Sequence, residues 1–314
     1  MEHFVTNFNL RFLPQGLALY QSMRRHLEEF VLWVVCMDAE CFHVLLKLNL
    51  PFLRPIDFTQ FESLEYQTLR QQRTIAEYCW TVNPINPYLV FLADSSVMQV
   101  TYLDADMWFL HSPKAVFDEF ANSQKAVLIT EHAYLPQYDQ TATSGKYCAQ
   151  WITYRRHQSE PLRKWWEDKC YEWCFNRYED GKFGDQKYLE QWPIIYPNQV
   201  QVFSQPRQFL APWNADDALI SNAVTYHFHG LRILDQNHFS LRSTYHVSQQ
   251  VQDLIYQPYL QDLRRAALQM QSIGIPLLSQ MEGSWEKQRD QARLFLMQQL
   301  ANAAQLRVEQ FSFM

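Results

Sequence analysis

Val97-Met98-Gln99-Val100-Thr101-Tyr102-Leu103-Asp104-Ala105-Asp106-Met107-Trp108-Phe109-Leu110 is the stretch whose reading decides the fold. An apolar run rich in β-branched and aromatic residues exits directly into two carboxylates separated by one residue. Such a run reads as a buried parallel strand, and open α/β sheets bind their ligands just outside the carboxyl ends of such strands. Two carboxylates about 4 Å apart repel by roughly 4 kcal/mol at an effective dielectric near 20. A positive partner is therefore expected between or beyond Asp104 and Asp106, and a divalent cation fits that place. The spacing alone is weak, because D-x-D arises by chance about once in a chain of this length. A solvated turn is its ordinary fate, so the surrounding pattern has to carry the argument.

On the N-terminal side, His3 to Phe8, Phe30 to Met37 and Phe52 to Ile56 read as strands. Leu17 to Leu27, a segment from Asp38-Ala39-Glu40 toward Leu46, and Glu62 to Trp80 read as helices. Tyr88 to Phe91 looks strand-like, as Val97 to Leu103 does. On the C-terminal side, Ser112-Pro113 opens a helix over Lys114 to Phe120. Ala126 to Thr130 is a strand that ends in Glu131-His132, and Gln137 to Lys146 is a loop over its edge. Gln150 to Tyr154 is strand-like, Glu160 to Arg177 and Phe183 to Trp192 are helical, and Val200 to Phe203 and Val224 to Phe228 complete the sheet. This alternation predicts an α/β fold, a parallel sheet with helices on both faces.

From about Val247 glutamine becomes dense and charges balance. Two amphipathic segments, Gln250 to Gln271 and Trp285 to Gln310, are separated by Gly274, Pro276 and Gly283. Residues 1–246 are thus expected to form the sheet domain and 247–314 a C-terminal helical extension. That extension would pack on the sheet domain, on a second copy of the chain as a homo-oligomer, or peripherally on a membrane surface.

Composition narrows the class of function. Hydrophobic residues at 47% and aromatic residues at 15% of the 314 exclude disorder. A net charge of −6 argues against a nucleic-acid partner, since phosphate neutralisation needs a basic face. Glycine occurs 7 times, against about 22 at average usage. Neither G-x-G-x-x-G nor a P-loop can be written, so a bound diphosphate would lean on a cation for counter-charge. The 6 cysteines contain no C-x-x-C pair. Cys170 and Cys174 share a helix face but lack a second pair for zinc, and reduced cytoplasmic thiols are the reading. No leader-like segment and no apolar run of about 18 residues is present. The expected location is cytoplasmic, with a peripheral contact at the inner membrane face open to the extension.

Four separated motifs fall in a familiar order: V-T-Y-L-D-A-D-M-W-F (Val100 to Phe109), F-G-D-Q-K-Y-L (Phe183 to Leu189), A-P-W-N (Ala211 to Asn214) and Y-H-F-H-G (Tyr226 to Gly230). Together they resemble the GT-A glycosyltransferases of the glycogenin and bacterial lipopolysaccharide galactosyltransferase type, over roughly residues 3 to 245, and that resemblance implies a mixed, mainly parallel sheet flanked by helices. By that resemblance Asp104, Asp106 and His227 are the metal ligands, with His229 the alternate to His227. Two carboxylates and an imidazole suit Mn²⁺ or Mg²⁺. Asp185 and Gln186 match the pair that faces the donor sugar, and Glu131 the acid held against its hydroxyls. Thr6 and Asn7 match base and ribose contacts, and Arg73 an arginine that touches the donor. Two departures stand out. Cys148 and Gln150 replace the asparagine and glycine of the family's Y-x-N-x-G segment. The lysine of H-F-x-G-x-x-K-P-W is missing, with Arg232 one residue before its place.

The activity implied is metal-dependent transfer of a hexose from a nucleoside-diphosphate sugar, UDP by family habit, to a hydroxyl on a glycan, a lipid-linked sugar or a protein, with retention. Inversion would require a base at the acceptor, for which Asp185 is the candidate. Two competing readings are a catalytically inactive nucleotide-sugar-binding scaffold and a haloacid-dehalogenase-like phosphatase. Met107-Trp108 after the acids, at mid-chain, speaks against the phosphatase.

Overall fold

The computed structural model describes residues 1–235, 237–242, 244–278 and 280, with the backbone of Leu294–Gln298 and Arg307–Phe311. Its strands are β1 (Glu2–Phe8), β2 (Phe30–Cys36), β3 (Leu53–Asp57), β4 (Gln99–Leu103), β5 (Met107–Phe109), β6 (Val127–Glu131), β7 (Tyr147–Arg155), β8 (Val200–Val202), β9 (Phe209–Leu210), β10 (Thr225–His227), β11 (Leu231–Ile233) and β12 (Phe239–Arg242). Seven of them form one sheet in the order β3-β2-β1-β4-β7-β6-β8. The pairs β2–β3, β1–β2, β1–β4 and β6–β8 are parallel, whereas β7 runs antiparallel to both neighbours. The expected mixed, mainly parallel sheet is thus present.

Side-chain alternation feeds two cores from this sheet. On β2, Val31, Trp33 and Val35 enter the core on one face, and Phe30, Leu32, Val34 and Cys36 the core on the other. All seven β2 residues are at most 4% exposed, which is why the run shows no polar alternation. The order of strands reverses between β1 and β4. In such sheets that reversal opens a crevice beyond the strand ends, and the ends here are Thr6-Asn7 and Leu103-Asp104.

Several elements differ from the sequence reading: the helix expected over Glu160 to Arg177 ends at Glu172, which leaves Cys174 beyond it, and Phe183 to Trp192 holds a 3-10 helix, Gln186–Gln191, that leads into Trp192–Ile195. Glu62 to Trp80 is two helices, Leu64–Gln72 and Ile75–Val82, parted at an extended Arg73. Thr74 stops the first and starts the second, because its hydroxyl accepts from Glu77 N–H while the Glu77 carboxylate accepts from Thr74 N–H. Tyr88 to Phe91 lies inside the helix Asn86–Ala93, where Pro87 in the first turn favours a helical start. Val224 to Phe228 does not complete the main sheet: β10 lies in a second, three-stranded sheet ordered β5-β10-β9.

The extension begins as expected and then departs. Gln249–Val251, a π-helical turn Gln252–Tyr256 and the helix Gln257–Ser272 run continuously. Tyr256, Tyr259, Leu260 and Leu263 pack with Trp108, Tyr226 and Phe228 in a third core. Within Trp285 to Gln310 a helix was expected, but β13 (Leu294–Gln298) and β14 (Arg307–Phe311) extend β12 as an antiparallel sheet. Leu294-Phe295-Leu296-Met297 is a four-residue apolar run that a helix would wrap around its whole circumference, which suits a strand better. The rest of that expected helix lies outside the described residues. Among the described residues no helix is long and apolar enough to cross a membrane.

Candidate active site

The chain leaves β4 at Asp104 and turns at Ala105, where Met107 N–H donates to Asp104 C=O at 3.2 Å. The turn lifts β5 out of the seven-stranded sheet. Antiparallel pairing then sets His227 opposite Met107, Tyr226 opposite Trp108 and Thr225 opposite Phe109. Phe228 N–H donates to Asp106 C=O at 2.9 Å. This short ladder is what carries a histidine over a hundred residues later in the chain to the acidic pair.

His227 Nε2 lies 3.1 Å from Asp106 Oδ1 and 3.6 Å from Asp104 Oδ2. One ligand atom from each of the three residues can be chosen so that all lie within 4.8 Å of one another. Among the described residues no other group of three His, Cys, Asp or Glu side chains converges in this way. Two hard carboxylate oxygens and one imidazole nitrogen are a donor set that can hold a divalent cation.

Charges within the cluster are strongly coupled. Burial works against a charged His227, yet Asp106 and Asp104 overcome it and hold the imidazole well above its usual pKa. Burial likewise opposes ionisation of Asp106, but His227, His229 and Arg232 bring its carboxyl down to about 2. Asp104, with desolvation as the leading cause, titrates above its ordinary value. A proton on His227 therefore stands where a cation would sit.

Two side chains support these ligands: Tyr102, which the sequence does not single out, and Gln150, which it marks only as a departure from the family segment. Tyr102 Oη donates to Asp104 Oδ1 at 2.7 Å. Gln150 Oε1 lies 2.9 Å from His227 Nδ1; with the amide oxygen accepting, the Nδ1–H is fixed and Nε2 is directed at the acids. Gln150 is thus more than a departure from a family pattern. The available signal was a lone amide inside the apolar run Tyr147 to Ile152, and the structure buries it at 1% exposed. Trp213 of A-P-W-N packs its ring 5.6 Å from the rings of both His227 and His229. Its Nε1 and the Asn214 Nδ2 both donate to His132 C=O, at 2.9 and 2.8 Å. His229 is exposed and outside the three-residue cluster.

Asp185 lies 4% exposed, and its carboxylate accepts from Asn83 Nδ2 at 2.7 Å. Burial pushes its pKa up to about 7; the Asn83 bond opposes this and the charge of Asp104 adds to it. Gly184 precedes it with φ of 51°, a left-handed conformation that other residues adopt only with strain. Gln186 Nε2 donates to Ser144 C=O at 2.9 Å, so this amide ties to the turn Thr141–Ser144 in the expected loop.

The remaining expected residues have settings of different kinds. Thr6 is fully buried at the end of β1 with its Oγ1 unpartnered, and Asn7 Nδ2 donates to Cys79 C=O at 3.1 Å. Glu131 ends β6 and pairs with Lys146 Nζ at 3.0 Å. The field of Arg232 reaches Asp106, and its guanidinium lies 5.6 Å from the Phe12 ring. Arg73 is buried. Its Nη1 donates to Thr81 Oγ1 and to Cys170 C=O (2.8 Å), and its Nη2 donates to Tyr171 C=O at 2.7 Å. These contacts tie the helices Ile75–Val82 and Glu160–Glu172 together.

A nucleotide-type α/β sheet with D-x-D at the strand-order reversal, and a small second sheet delivering a histidine to it, is the GT-A fold. Two solved structures share it. WbbM, described as a bifunctional glycosyltransferase, aligns with a TM-score of 0.52 at 12% identity, covering 88% of this chain and 52% of that one. The apo-form glycosyltransferase GlyE of Streptococcus pneumoniae TIGR4 aligns with a TM-score of 0.51 at 13% identity, covering 90% and 66%. The chain thus spans about half the length of WbbM and just under two thirds of GlyE. In sequence it is 27% identical over 244 residues to YfnF of Bacillus subtilis (strain 168), a protein carried as uncharacterized, covering 72% of this chain and 80% of YfnF. No protein-family model matches.

Proposed function

We propose that this chain is a metal-dependent glycosyltransferase that moves a hexose from a nucleoside-diphosphate sugar, UDP-linked in our reading, to a hydroxyl acceptor with retention of anomeric configuration. The convergence of Asp104, Asp106 and His227 beyond the end of β4 is the observation that carries it. The GT-A fold supports it, since the cluster lies beyond the strand-order reversal, where sheets of this type bind their ligands.

In this reading Asp104, Asp106 and His227 hold Mn²⁺ or Mg²⁺, which when bound would offset charge on the leaving diphosphate. Tyr102 and Gln150 keep the ligand atoms aimed. Arg232 adds positive charge on the same side, in place of the missing lysine. Thr6 and Asn7 border the nucleoside, with Arg73 and Glu131 on the donor side. Asp185 and Gln186 are the catalytic pair: Asp185 orients donor or acceptor hydroxyls, and Gln186 supports positive charge that develops on the sugar. Residues 1–246 would carry this chemistry, with 247–314 as the extension.

Calorimetric titration of UDP with and without Mn²⁺ tests the reading. Metal-dependent binding that is lost in Asp106→Ala supports it, as does slow hydrolysis of a UDP-sugar without acceptor. Binding of UDP that ignores both the metal and the substitution refutes it. Nucleotide-sugar binding without any turnover would return the chain to the inactive scaffold.

A further inference from the structure

We propose that the helix Gln257–Ser272, beyond the segment that carries the motifs, is a positioning element for the metal ligands, acting through Tyr259 and Asp262. The inference rests on the metal-site reading above.

Strand alternation is the starting point. On β10 and just past it, His227 faces the acids, so Tyr226 and Phe228 face the opposite side. Trp108, paired with Tyr226 across the ladder, faces that side as well. The helix covers it. Tyr259 stacks on Phe228 with centroids 3.5 Å apart and planes at 8°, and its ring meets Trp108 edge-on at 6.3 Å. Tyr256 meets Tyr226 at 5.5 Å, with the two hydroxyls 3.2 Å apart. Phe228 is the residue after one ligand, and its N–H holds the C=O of another, Asp106.

Asp262 secures the same contact electrostatically. It is 1% exposed and accepts from Trp108 Nε1 at 2.8 Å, from Arg25 at 3.2 and 2.5 Å, and from Arg265 at 2.6 Å. Arg25 also lies 5.2 Å from the Trp108 ring. A buried carboxylate so fully bonded has one geometry, and it fixes Trp108 two residues from Asp106. The π-helical turn Gln252–Tyr256 immediately precedes this contact, and such irregular turns are frequent where a helix serves a site. Asp106 and His227 are therefore clamped from behind as a pair, whereas Asp104 is placed by β4 and Tyr102.

The test uses the full chain and Mn²⁺ alone as probe, with affinity measured by calorimetry well below each variant's unfolding temperature. Tyr259→Leu and Asp262→Asn are expected to weaken Mn²⁺ binding about tenfold, as outer-shell substitutions do. Tyr259→Phe should retain wild-type affinity, because the Tyr259 hydroxyl has no partner. Leu268→Ala, on the exposed side of the helix, is the control. Wild-type affinity in folded Tyr259→Leu or in folded Asp262→Asn overturns the proposal, and so does a loss in Tyr259→Phe equal to that in Tyr259→Leu. Should the leucine variant not fold, Asp262→Asn carries the same comparison with its shape conserved. Failure of the wild-type chain to bind Mn²⁺ would count against the metal site itself, a distinguishable result.

Discussion

Asp185→Asn should make the metal-free protein more stable at neutral and alkaline pH while depriving it of a proposed catalytic group. A folded-state pKa raised from the ordinary 3.8 to about 7 means that between those values the folded chain holds a proton which the unfolded chain has lost. Stability then falls as pH rises through that window and levels off above it. At about 1.4 kcal/mol per pH unit the loss is about 4 kcal/mol, an order-of-magnitude figure. Asparagine keeps the shape and an oxygen for Asn83 Nδ2, and it carries no charge to desolvate. Urea unfolding in the presence of EDTA, at steps from pH 4 to pH 8, should show the variant level with wild type near pH 4. It should lead by a margin that grows to several kcal/mol by pH 8. A stability difference that stays constant across the series would refute the reasoning, because burial of the charge would then not govern Asp185. Added Mn²⁺ should shrink the slope, since it offsets Asp104, one cause of the shift.

Other outcomes follow from the same geometry. Mn²⁺ should displace about one proton at pH 7, because the acids hold His227 protonated; calorimetry in buffers of different ionisation enthalpy reads it. The stability that this proton lends the metal-free chain is complete below the unfolded pKa near 6.5 and is lost as pH rises through the raised value, so EDTA should lower the melting temperature most at alkaline pH. Gln150→Leu should weaken Mn²⁺ binding roughly 10- to 100-fold, with secondary structure unchanged by circular dichroism. Arg73→Met leaves the carbonyls of Cys170 and Tyr171 without their donor and should cost about 2–4 kcal/mol in urea unfolding. An unchanged donor KM in that variant would assign Arg73 to the scaffold alone.

How far the sequence disclosed this arrangement depended on the range of the interaction involved. The buried parallel strands were legible because burial on both faces leaves a continuous apolar run, as in Phe30–Cys36. The acidic pair was legible because it sits at the exit of one of them. Tyr88 to Phe91 was misread, since four apolar residues have no period, and Pro87 was the better guide. Glu62 to Trp80 hid a break because Thr74 and Glu77 look unremarkable inside a helical pattern until their reciprocal bonds are seen. The second sheet was not legible at all: nothing local to Val224–Phe228 says that its partner is Met107–Phe109. Gln150, Tyr102 and Asn83 escaped for a related reason, as each acts on a side chain that only tertiary structure brings to it. The strands Leu294–Gln298 and Arg307–Phe311 replaced part of an expected helix, where β pairing outweighed a weak amphipathic pattern.

The turn at Ala105 has a mechanical meaning. Asp104 is anchored to the large sheet, its N–H bonded to Gln150 C=O at 3.2 Å, while Asp106 is anchored to the small sheet through Phe228. The two sheets meet along a seam where Trp151 packs 5.0 Å from Phe209 and 6.0 Å from Phe109. How those rings interlock is therefore one determinant of the bite between the carboxylates. In the metal-site reading, widening the seam at Trp151 would lengthen that bite and turn the preference of the acids from the small, rigidly octahedral Mg²⁺ toward larger ions.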